Sequence, residues 1–373
     1  MDAHDMSTFA GDSNIPGRCS RRSFLRLLAA GCLAGGLAGC APTGVRTTPP
    51  ASPTPLIPAG RITTENAARL TRLATLQSQD GLARAVAWSS DSRVVASGGY
   101  HDVRLWDIST GKLRARFAGH TNQIYSMAWS PSRGLLASAS SDSTVRLWDV
   151  RQGQALRTLH SAPSVPLFSV CWSPDGQRIA AGTEDGAVLL WDARSGKQVA
   201  TWEGPSQRES KGGRFPFAAW GVSWSPDGRR IASTRYDDYV LVWDVATGHS
   251  HVISKSDTQP NTTAWAPDGR QFAITDDQGK VILWDGATMR RGASFAGHDE
   301  AGWSYGLAWS PDGSLIASSR QSGLVQVWDT RTGTELVAIQ AHTNAIWGLA
   351  WSPDGQRLAS ASDDETVCLW GVR

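Results

Sequence analysis

The sequence of 373 residues has few cysteines, little charge and almost no net charge. Charged residues make up 19% of the chain, with 36 Lys and Arg against 34 Asp and Glu. Such a balance gives no general reason to expect nucleic-acid binding. Three of the five cysteines precede residue 41, and Cys171 and Cys368 lie far apart in the chain. We therefore expect neither a disulfide nor a cysteine-based zinc site.

Motifs that carry catalysis are also missing. The sequence has no Gly-x-Ser-x-Gly turn, no glycine-rich phosphate loop and no His-Glu-x-x-His helix. His249 and His251 flank a serine in a turn without an evident carboxylate partner, which is typical of a solvated turn rather than a metal site. We expect no catalytic residue, no metal and no cofactor.

The N-terminal residues resemble a bacterial export signal. Arg21 and Arg22 precede Phe-Leu and a Gly/Ala-rich apolar run, as in twin-arginine signals. The run ends in Leu-Ala-Gly-Cys40, which resembles the lipobox of bacterial lipoproteins. The resemblance implies that residues 1–39 are removed and that Cys40 carries a lipid anchor. An ordinary secretory signal and an uncleaved anchor remain alternatives.

A spacer follows the signal. Six prolines between residues 42 and 58, mixed with Thr and Ser, predict an extended tether over 40–70, with one short helical turn near its end. Residues 71–373 then form the folded domain. We expect the protein to be exported and held by its lipid at the cell envelope, outside the cytoplasm.

The folded domain repeats a short apolar strand that ends in tryptophan, usually followed by aspartate. These residues are Trp106, Trp148, Trp191, Trp243, Trp284, Trp328 and Trp370. A second series runs 18 to 19 residues ahead of them: Trp88, Trp129, Trp172, Trp224, Trp265, Trp309 and Trp351. A period of forty-odd residues with this ending is typical of four-stranded propeller blades. The sequence therefore predicts an all-β, seven-bladed β-propeller of antiparallel blades.

Closure of the ring has its own signal. No fourth strand follows Trp370 in the sequence, so the last blade lacks its outer strand. Residues 72–76 hold the register, relative to Trp88, that residues 113–117 hold before Trp129. We expect residues 71–76 to pair with the last blade, because an exposed sheet edge there would be a weak point.

Residues 71–373 resemble the WD-repeat propeller family. The resemblance implies a hydrogen-bonded tetrad of Trp, Ser or Thr, Asp and His in a blade. Complete sets occur in the second and seventh repeats: His120, Ser138, Asp142 and Trp148, then His342, Ser360, Asp364 and Trp370. Asp185 and Asp237 match the aspartate of the third and fourth repeats, and the other repeats lack it. Buried Trp and His need such partners, so these roles are structural.

Candidate binding residues lie where the innermost strand of each repeat begins, four residues before its first tryptophan. They are Arg84, Tyr125, Phe168, Trp220, Asn261, Tyr305 and Trp347, with Trp303 beside them. In the resembling family this position commonly contacts partners. Nearby turns add an acidic border: Asp102, Glu184, Asp238, Asp276, Asp277 and Asp363. Aromatic side chains with an acidic border suit the binding of a basic peptide or a cation. The alternative is that the aromatic rings only fill the channel.

These features support three hypotheses. The leading one is a membrane-tethered, non-enzymatic scaffold that binds an unidentified protein or peptide on this rim. The second is a binder of glycans or small ligands that stack on Trp220, Tyr305 and Trp347. The third, a propeller enzyme of the lactonase or quinoprotein type, is disfavoured because the innermost strands supply few metal ligands. We expect an insert at residues 204–216 on the same rim. It either contacts a partner or is a tolerated surface loop.

Overall fold

The computed structural model describes residues 60–78, 81–132, 134–162, 164–204, 218–255, 258–296 and 302–373. In these ranges 28 β-strands form seven antiparallel sheets of four strands each. Each sheet is one blade, and its strands run outward in the order a, b, c and d. The predicted all-β seven-bladed propeller is confirmed.

Blades 1 to 4 take their four strands in chain order. Blade 1 contains β2 Ala85–Trp88, β3 Val94–Gly98, β4 Asp102–Asp107 and β5 Lys112–Ala118. Blade 2 contains β6 Ile124–Trp129, β7 Leu135–Ser140, β8 Thr144–Asp149 and β9 Gln154–His160. Blade 3 contains β10 Leu167–Trp172, β11 Arg178–Thr183, β12 Val188–Asp192 and β13 Gln198–Trp202. Blade 4 contains β14 Ala219–Trp224, β15 Arg230–Arg235, β16 Tyr239–Asp244 and β17 Ser250–Lys255.

Blades 5 and 6 follow the same rule, and blade 7 does not. Blade 5 contains β18 Pro260–Trp265, β19 Gln271–Asp276, β20 Val281–Asp285 and β21 Arg291–Phe295. Blade 6 contains β22 Leu307–Trp309, β23 Leu315–Ser319, β24 Leu324–Asp329 and β25 Glu335–Gln340. Blade 7 contains β26 Ile346–Trp351, β27 Leu358–Ser362 and β28 Thr366–Val372, and takes its outer strand from β1 Leu70–Gln77.

Strand β1 closes the ring by pairing antiparallel with β28, from Leu70 opposite Val372 to Gln77 opposite Thr366. Leu73 and Leu76 are buried between the last blade and the first. The a strands of successive blades contact one another around the whole circle, and β26 contacts β2. The prediction that the segment near 71–76 supplies the missing strand is confirmed.

Packing begins earlier than residue 71. Ile62 and Ala67 are buried against blades 6 and 7, and a short 3-10 helix spans Ala67–Arg69. The backbone N–H of Ile62 donates to the carbonyl of Gly355, 2.9 Å away, in the turn between β26 and β27. Residues placed by sequence in the tether therefore belong in part to the ring.

Turns between strands a and b have a built-in geometry. In blade 7 the hydroxyl of Ser352 donates to Asp354, and the N–H of Arg357 donates to Ser352 Oγ at 2.9 Å. Gly355 has φ +72°, a left-handed conformation that costs a glycine nothing. Ser-Pro-Asp-Gly therefore specifies a tight hairpin at this position.

The first tryptophan series joins neighbouring blades. In five blades the indole N–H donates to a backbone carbonyl of the preceding a strand. The pairs are Trp88 to Ala350, Trp129 to Ala87, Trp172 to Ala128, Trp309 to Ala264 and Trp351 to Ala308, at 3.0–3.1 Å. Five of the seven strand-c tryptophans instead donate to a serine hydroxyl of their own blade: Trp106, Trp148, Trp243, Trp328 and Trp370. Among the described residues, no helix is long and apolar enough to cross a membrane.

Candidate functional site

The residues predicted for the rim converge on the central channel. Seven of the eight line one cavity of about 190 Å³ where the a strands begin: Arg84, Tyr125, Phe168, Trp220, Asn261, Tyr305 and Trp347. We call this set the mouth, and the side of the ring that carries it the mouth face. The spacing of four residues before each first tryptophan places these side chains at equivalent points of successive blades.

The aromatic side chains of the mouth stack on one another. Phe168 lies on Trp220, with ring centroids 4.3 Å apart, and Tyr305 lies on Trp347 at 4.0 Å. Trp303 does not line the cavity but extends the second stack outward, 6.1 Å from Tyr305. Most of the large ring faces in the two stacks are therefore covered by other rings.

Arg84 occupies the cation position above these rings. Its guanidinium lies 4.5 Å from the Trp347 ring centroid and 5.5 Å from that of Tyr125. It donates to both carboxylate oxygens of Asp363, at 2.9 and 3.1 Å, and to the amide oxygen of Gln123 at 2.7 Å. Burial works against the charge, but the bonds to Asp363 outweigh it and raise the pKa of Arg84. The mouth carries its own bound cation.

Much of the expected acidic border is engaged inside the protein. Asp363 pairs with Arg84, and Asp102 pairs with Arg116. Asp276 is buried and accepts the hydroxyl of Thr258 and two backbone N–H groups. Burial, and then the neighbouring Asp276, raises the pKa of Asp277. Near blades 4 and 5 the border also contains cations: Arg235 pairs with Asp237, and Arg320 donates to the carbonyl of Gln278.

The two complete tetrads are assembled as continuous hydrogen-bond chains. In blade 2 the indole N–H of Trp148 donates to Ser138 Oγ at 2.8 Å, and Ser138 Oγ lies 2.7 Å from His120 Nε2. His120 Nδ1 lies 2.7 Å from Asp142. A neutral His120 protonated on Nδ1 satisfies every bond. The blade 7 set, Trp370, Ser360, His342 and Asp364, repeats the pattern.

Incomplete blades show what the missing members leave behind. Trp106, Trp243 and Trp328 still donate to a serine hydroxyl of their own blade, at 2.8–2.9 Å. Asp237 pairs with Arg235 instead of a histidine, and Asp185 accepts the hydroxyl of Thr183. In blade 5 the indole N–H of Trp284 has no hydrogen-bond partner among the described residues.

Acid is expected to destabilise the protein through both complete tetrads. Burial lowers the pKa of His120 and His342 below the ordinary value of 6.5, so the unfolded chain takes up protons first as pH falls. Burial alone would raise the pKa of Asp142 and Asp364, but their hydrogen bonds outweigh it and lower both. Stability should be full above pH 6.5, fall below it, and fall again below the ordinary aspartate value of 3.8.

Denaturant midpoints at pH 7.5, 5.5 and 3.5 measure this loss. In the double variant His120→Gln/His342→Gln the denaturant midpoint should fall less between pH 7.5 and 5.5 than in the wild type. In His249→Gln, at an exposed turn, the midpoint should fall as much as in the wild type. If the midpoint of the double variant falls between pH 7.5 and 5.5 as much as that of the wild type, the acid sensitivity comes from other groups.

Several predicted residues lie outside the described part of the chain. These are Arg21, Arg22, Cys40 and most of the insert at 204–216. Sequence reasoning missed Gln123, which holds Arg84 and accepts the Tyr125 hydroxyl at 2.8 Å. The only feature of the sequence that could have indicated this role of Gln123 is its position two residues before Tyr125. Within the described ranges, no three His, Cys, Asp or Glu side chains are grouped to hold a metal ion.

Seven like blades, two complete tetrads and a mouth at the channel define a WD-type β-propeller. Comparison with family models agrees: the model described as "IFT122 first beta-propeller" matches residues 60–305, about two thirds of the chain. The model described as "WD domain, G-beta repeat" matches residues 290–329 and 333–371. The chain belongs to the WD-repeat propeller family, whose members are generally non-enzymatic scaffolds that bind proteins.

Curated relatives share only part of the ring. Coronin-7 of Mus musculus is 44% identical over 59 residues, 16% of this chain and 6% of that protein. The target of rapamycin complex subunit LST8 of Saccharomyces cerevisiae is 30% identical over 92 residues, which are 24% of this chain and 30% of that protein. The peroxisomal targeting signal 2 receptor of Mus musculus is 37% identical over 86 residues, which are 21% of this chain and 27% of that protein. The chain thus spans at most about a third of these relatives.

Proposed function

We propose that this chain is a lipid-anchored propeller of the cell envelope that binds a protein or peptide partner on its mouth face. One observation carries the binding half: seven blades each place a side chain from one sequence position around a single cavity. Rims and loops of a rigid scaffold are the usual places for recognition. Two relatives have names that describe a complex subunit and a targeting-signal receptor, which favours a protein partner.

The anchored half rests on the signal-like N-terminus and on where the described chain begins. Ile62 bonds to Gly355, beyond the end of strand β26, whereas Trp347 lies near the start of that strand in the mouth. The two points are therefore on opposite faces of the ring. The sequence predicts an extended Pro-rich spacer between Cys40 and residue 60, and a chain of this length in that conformation spans up to about 60 Å at about 3.1 Å per residue. This arrangement leaves the mouth free for a partner.

A glycan-binding function has less support. Trp347 has Tyr305 on one side at 4.0 Å and the Arg84 guanidinium at 4.5 Å. Sugar rings bind by covering an aromatic face, and Trp347 already has a ring and a guanidinium against it. The edges of the rings and the turns around them remain for a protein partner.

Photo-crosslinking in the native cell tests the binding half. Tyr100→p-benzoylphenylalanine places the crosslinker on a mouth-face turn that is 41% exposed, and Val199→p-benzoylphenylalanine places it on outer strand β13, 52% exposed. We expect one reproducible protein partner at position 100 and none at 199. Identical products at both positions, or none at either, would contradict a mouth-face partner.

Fractionation of the envelope tests the anchored half. With Cys40→Ala the protein should lose its lipid and leave the membrane fraction, because no acyl chain then holds it. With Arg21→Lys/Arg22→Lys it should accumulate in the cytoplasm as the precursor. A native chain that carries no lipid by mass spectrometry, or Cys40→Ala behaving as wild type, would remove the anchor.

A further inference from the structure

The hydrogen-bond chain of blade 1 stops halfway. Trp106 donates its indole N–H to Ser97 Oγ at 2.8 Å, the same bond as in the complete tetrad of blade 2. There the chain continues from Ser138 Oγ to His120 Nε2, 2.7 Å away. Blade 1 has no histidine at the same spacing, nine residues before Trp88. Among the described residues no group accepts the O–H of Ser97, so blade 1 keeps a buried donor without an acceptor.

A cavity of about 240 Å³ lies where this chain stops. Ser97, Asp102, Arg104 and Arg116 line it, and none of its lining residues belongs to the mouth. Ser97 and Arg104 are 3% and 6% exposed and form its floor. Tyr100, which is 41% exposed, and the side chain of Arg116, which is 55% exposed, stand at its edge. The cavity can therefore be reached from the surface of blade 1.

The strand register places the polar lining on one face of the sheet. Ser97 lies opposite Arg104, and Arg104 lies opposite Arg116. Asp102 is two residues before Arg104 on strand β4, so its side chain points to the same face. Directly opposite residues of antiparallel strands have Cβ atoms about 4.5–5.5 Å apart. These four side chains therefore surround one space.

In blade 2 the equivalent space holds an imidazole ring. The strand register makes Ser97 the equivalent of Ser138 and Asp102 the equivalent of Thr144. The ring of His120 lies 2.7 Å from Ser138 Oγ through Nε2 and 3.4 Å from Thr144 Oγ1 through Nδ1. An imidazole ring placed in the same way in blade 1 faces Ser97 with one nitrogen and Asp102 with the other.

The hydrogen-bonding groups of the cavity match such a ring. Ser97 has an O–H to donate. Arg116 donates to Oδ2 of Asp102, and Oδ1 of this carboxylate makes no hydrogen bond to the described residues. A neutral imidazole has one nitrogen that accepts and one N–H that donates. It therefore supplies a partner to both Ser97 and Asp102.

Charge around the cavity favours a neutral ring over an ion. Arg104 and Arg116 oppose a further cation, and the carboxylate of Asp102 opposes an anion. Blade 2 has the same arrangement, because Arg146 stands there at the position of Arg104. Burial first, and Arg146 after it, lower the pKa of His120 and keep that ring neutral.

Blade 6 fills the equivalent space with its own chain. Two residues after its tetrad serine, Ser318, Arg320 donates to Gln326 at 2.9 Å, and Gln326 lies opposite Ser318 on the next strand. Blade 1 has Gly99 two residues after Ser97. This turn position therefore sends no side chain into the cavity of blade 1.

We propose that the cavity of blade 1 binds an imidazole ring, as carried by a histidine side chain of another molecule. One ring nitrogen accepts from Ser97, and the N–H of the other donates to Asp102. The ring takes the place that His120 takes in blade 2 and completes the chain that begins at Trp106. This site is separate from the mouth, so it stands or falls independently of the proposed function.

Titration with three five-membered rings tests the inference. The full-length chain, in detergent and without a histidine tag, is titrated by calorimetry, and imidazole should bind at one site with a dissociation constant on the order of 0.1–1 mM. Pyrrole lacks the acceptor nitrogen and should bind about two- to tenfold more weakly. Oxazole lacks the N–H and should bind more than about tenfold more weakly, because it loses a bond to a carboxylate.

Matched variants separate this recognition from general damage. Ser97→Ala should weaken imidazole binding about two- to tenfold and remove the difference between imidazole and pyrrole. Ser233→Ala loses the same structural bond in blade 4, where Ser233 accepts the indole N–H of Trp243 at 2.8 Å, and should bind imidazole as the wild type does. Asp102→Asn should weaken imidazole binding and leave oxazole binding nearly unchanged.

A peptide identifies the source of the ring. Binding of both imidazole and acetyl-Gly-His-Gly-amide would assign the site to a histidine side chain of a polypeptide, and binding of imidazole alone would assign it to a small imidazole compound. Absence of imidazole binding, equal binding of the three rings, or Ser97→Ala binding as wild type would overturn the proposal. Acetate or phosphate binding more tightly than imidazole would show an anion site instead. None of these results bears on a partner at the mouth.

Discussion

Leu76→Ala is expected to lower the free energy of unfolding by about 2–5 kcal/mol, the usual cost of truncating a fully buried leucine. Leu76 is 3% exposed and packs with Ala361, Val367 and Leu369 in the blade that β1 completes. Its removal weakens the β1–β28 pair, which joins the beginning of the ring to its last blade. Chemical denaturation of the full-length chain, followed by tryptophan fluorescence, measures the loss.

Two control variants are needed to interpret the effect of Leu76→Ala on stability. Gln77→Ala changes an exposed neighbour on the same strand and should alter stability by no more than about 0.5 kcal/mol. Leu159→Ala truncates a buried leucine on the outer strand of blade 2, which has all four strands in sequence. Similar losses for Leu76→Ala and Leu159→Ala would show that β1 is a full blade strand. A Leu76→Ala midpoint equal to that of Gln77→Ala would mean that the ring does not depend on closure by β1.

Arg84→Met is expected to destabilise the protein by about 3 kcal/mol. It leaves the carboxylate of Asp363 largely buried without its guanidinium, and breaking a buried pair costs about 3–5 kcal/mol. The low end applies because the side chains of Arg84 and Asp363 keep 13% and 15% exposure. The double variant Arg84→Met/Asp363→Leu removes both charges and should recover most of the loss. Unfolding free energies of the two single variants and the double variant form the cycle that isolates the pair.

The exposed pair Arg270–Asp268 supplies the control for this cycle. Its side chains are 86% and 57% exposed, and such pairs contribute about 0–1 kcal/mol. Arg270→Met should therefore be close to neutral. If Arg84→Met is equally mild, Arg84 is not bound as tightly as its hydrogen bonds to Asp363 and Gln123 indicate. The cation position above Trp347 would then be open to a ligand.

The period of the tryptophans was enough to predict the blades, their number and the closing strand. These features depend on local pattern, since each blade repeats the same strands and turns within forty-odd residues. The tetrad members His120, Ser138, Asp142 and Trp148 also come together within one blade. The positions of the mouth residues followed from the same period, because equivalent positions face the same channel.

What the period did not predict are contacts between distant blades. Arg84 and Asp363 are 279 positions apart in the chain and meet only because the ring closes. The acceptors of the first tryptophan series are backbone carbonyls, which leave no mark in the sequence. Ile62 is one apolar residue after a proline-rich stretch, so no repeat pattern signalled its burial. For the same reasons the acidic border was predicted, but its pairing with Arg84 and Arg116 was not.

The order of the strands in blade 7 also has a consequence during synthesis. Thr71 and Gly371, which face each other in the β1–β28 pair, are 300 positions apart. At about 5–20 residues per second, a ribosome takes roughly 15–60 s to make the stretch between them. During that time β1 has no partner, and unpaired strand edges are prone to aggregation. A chaperone that shields the nascent N-terminal strand would therefore improve the yield of this protein more than one that acts after release.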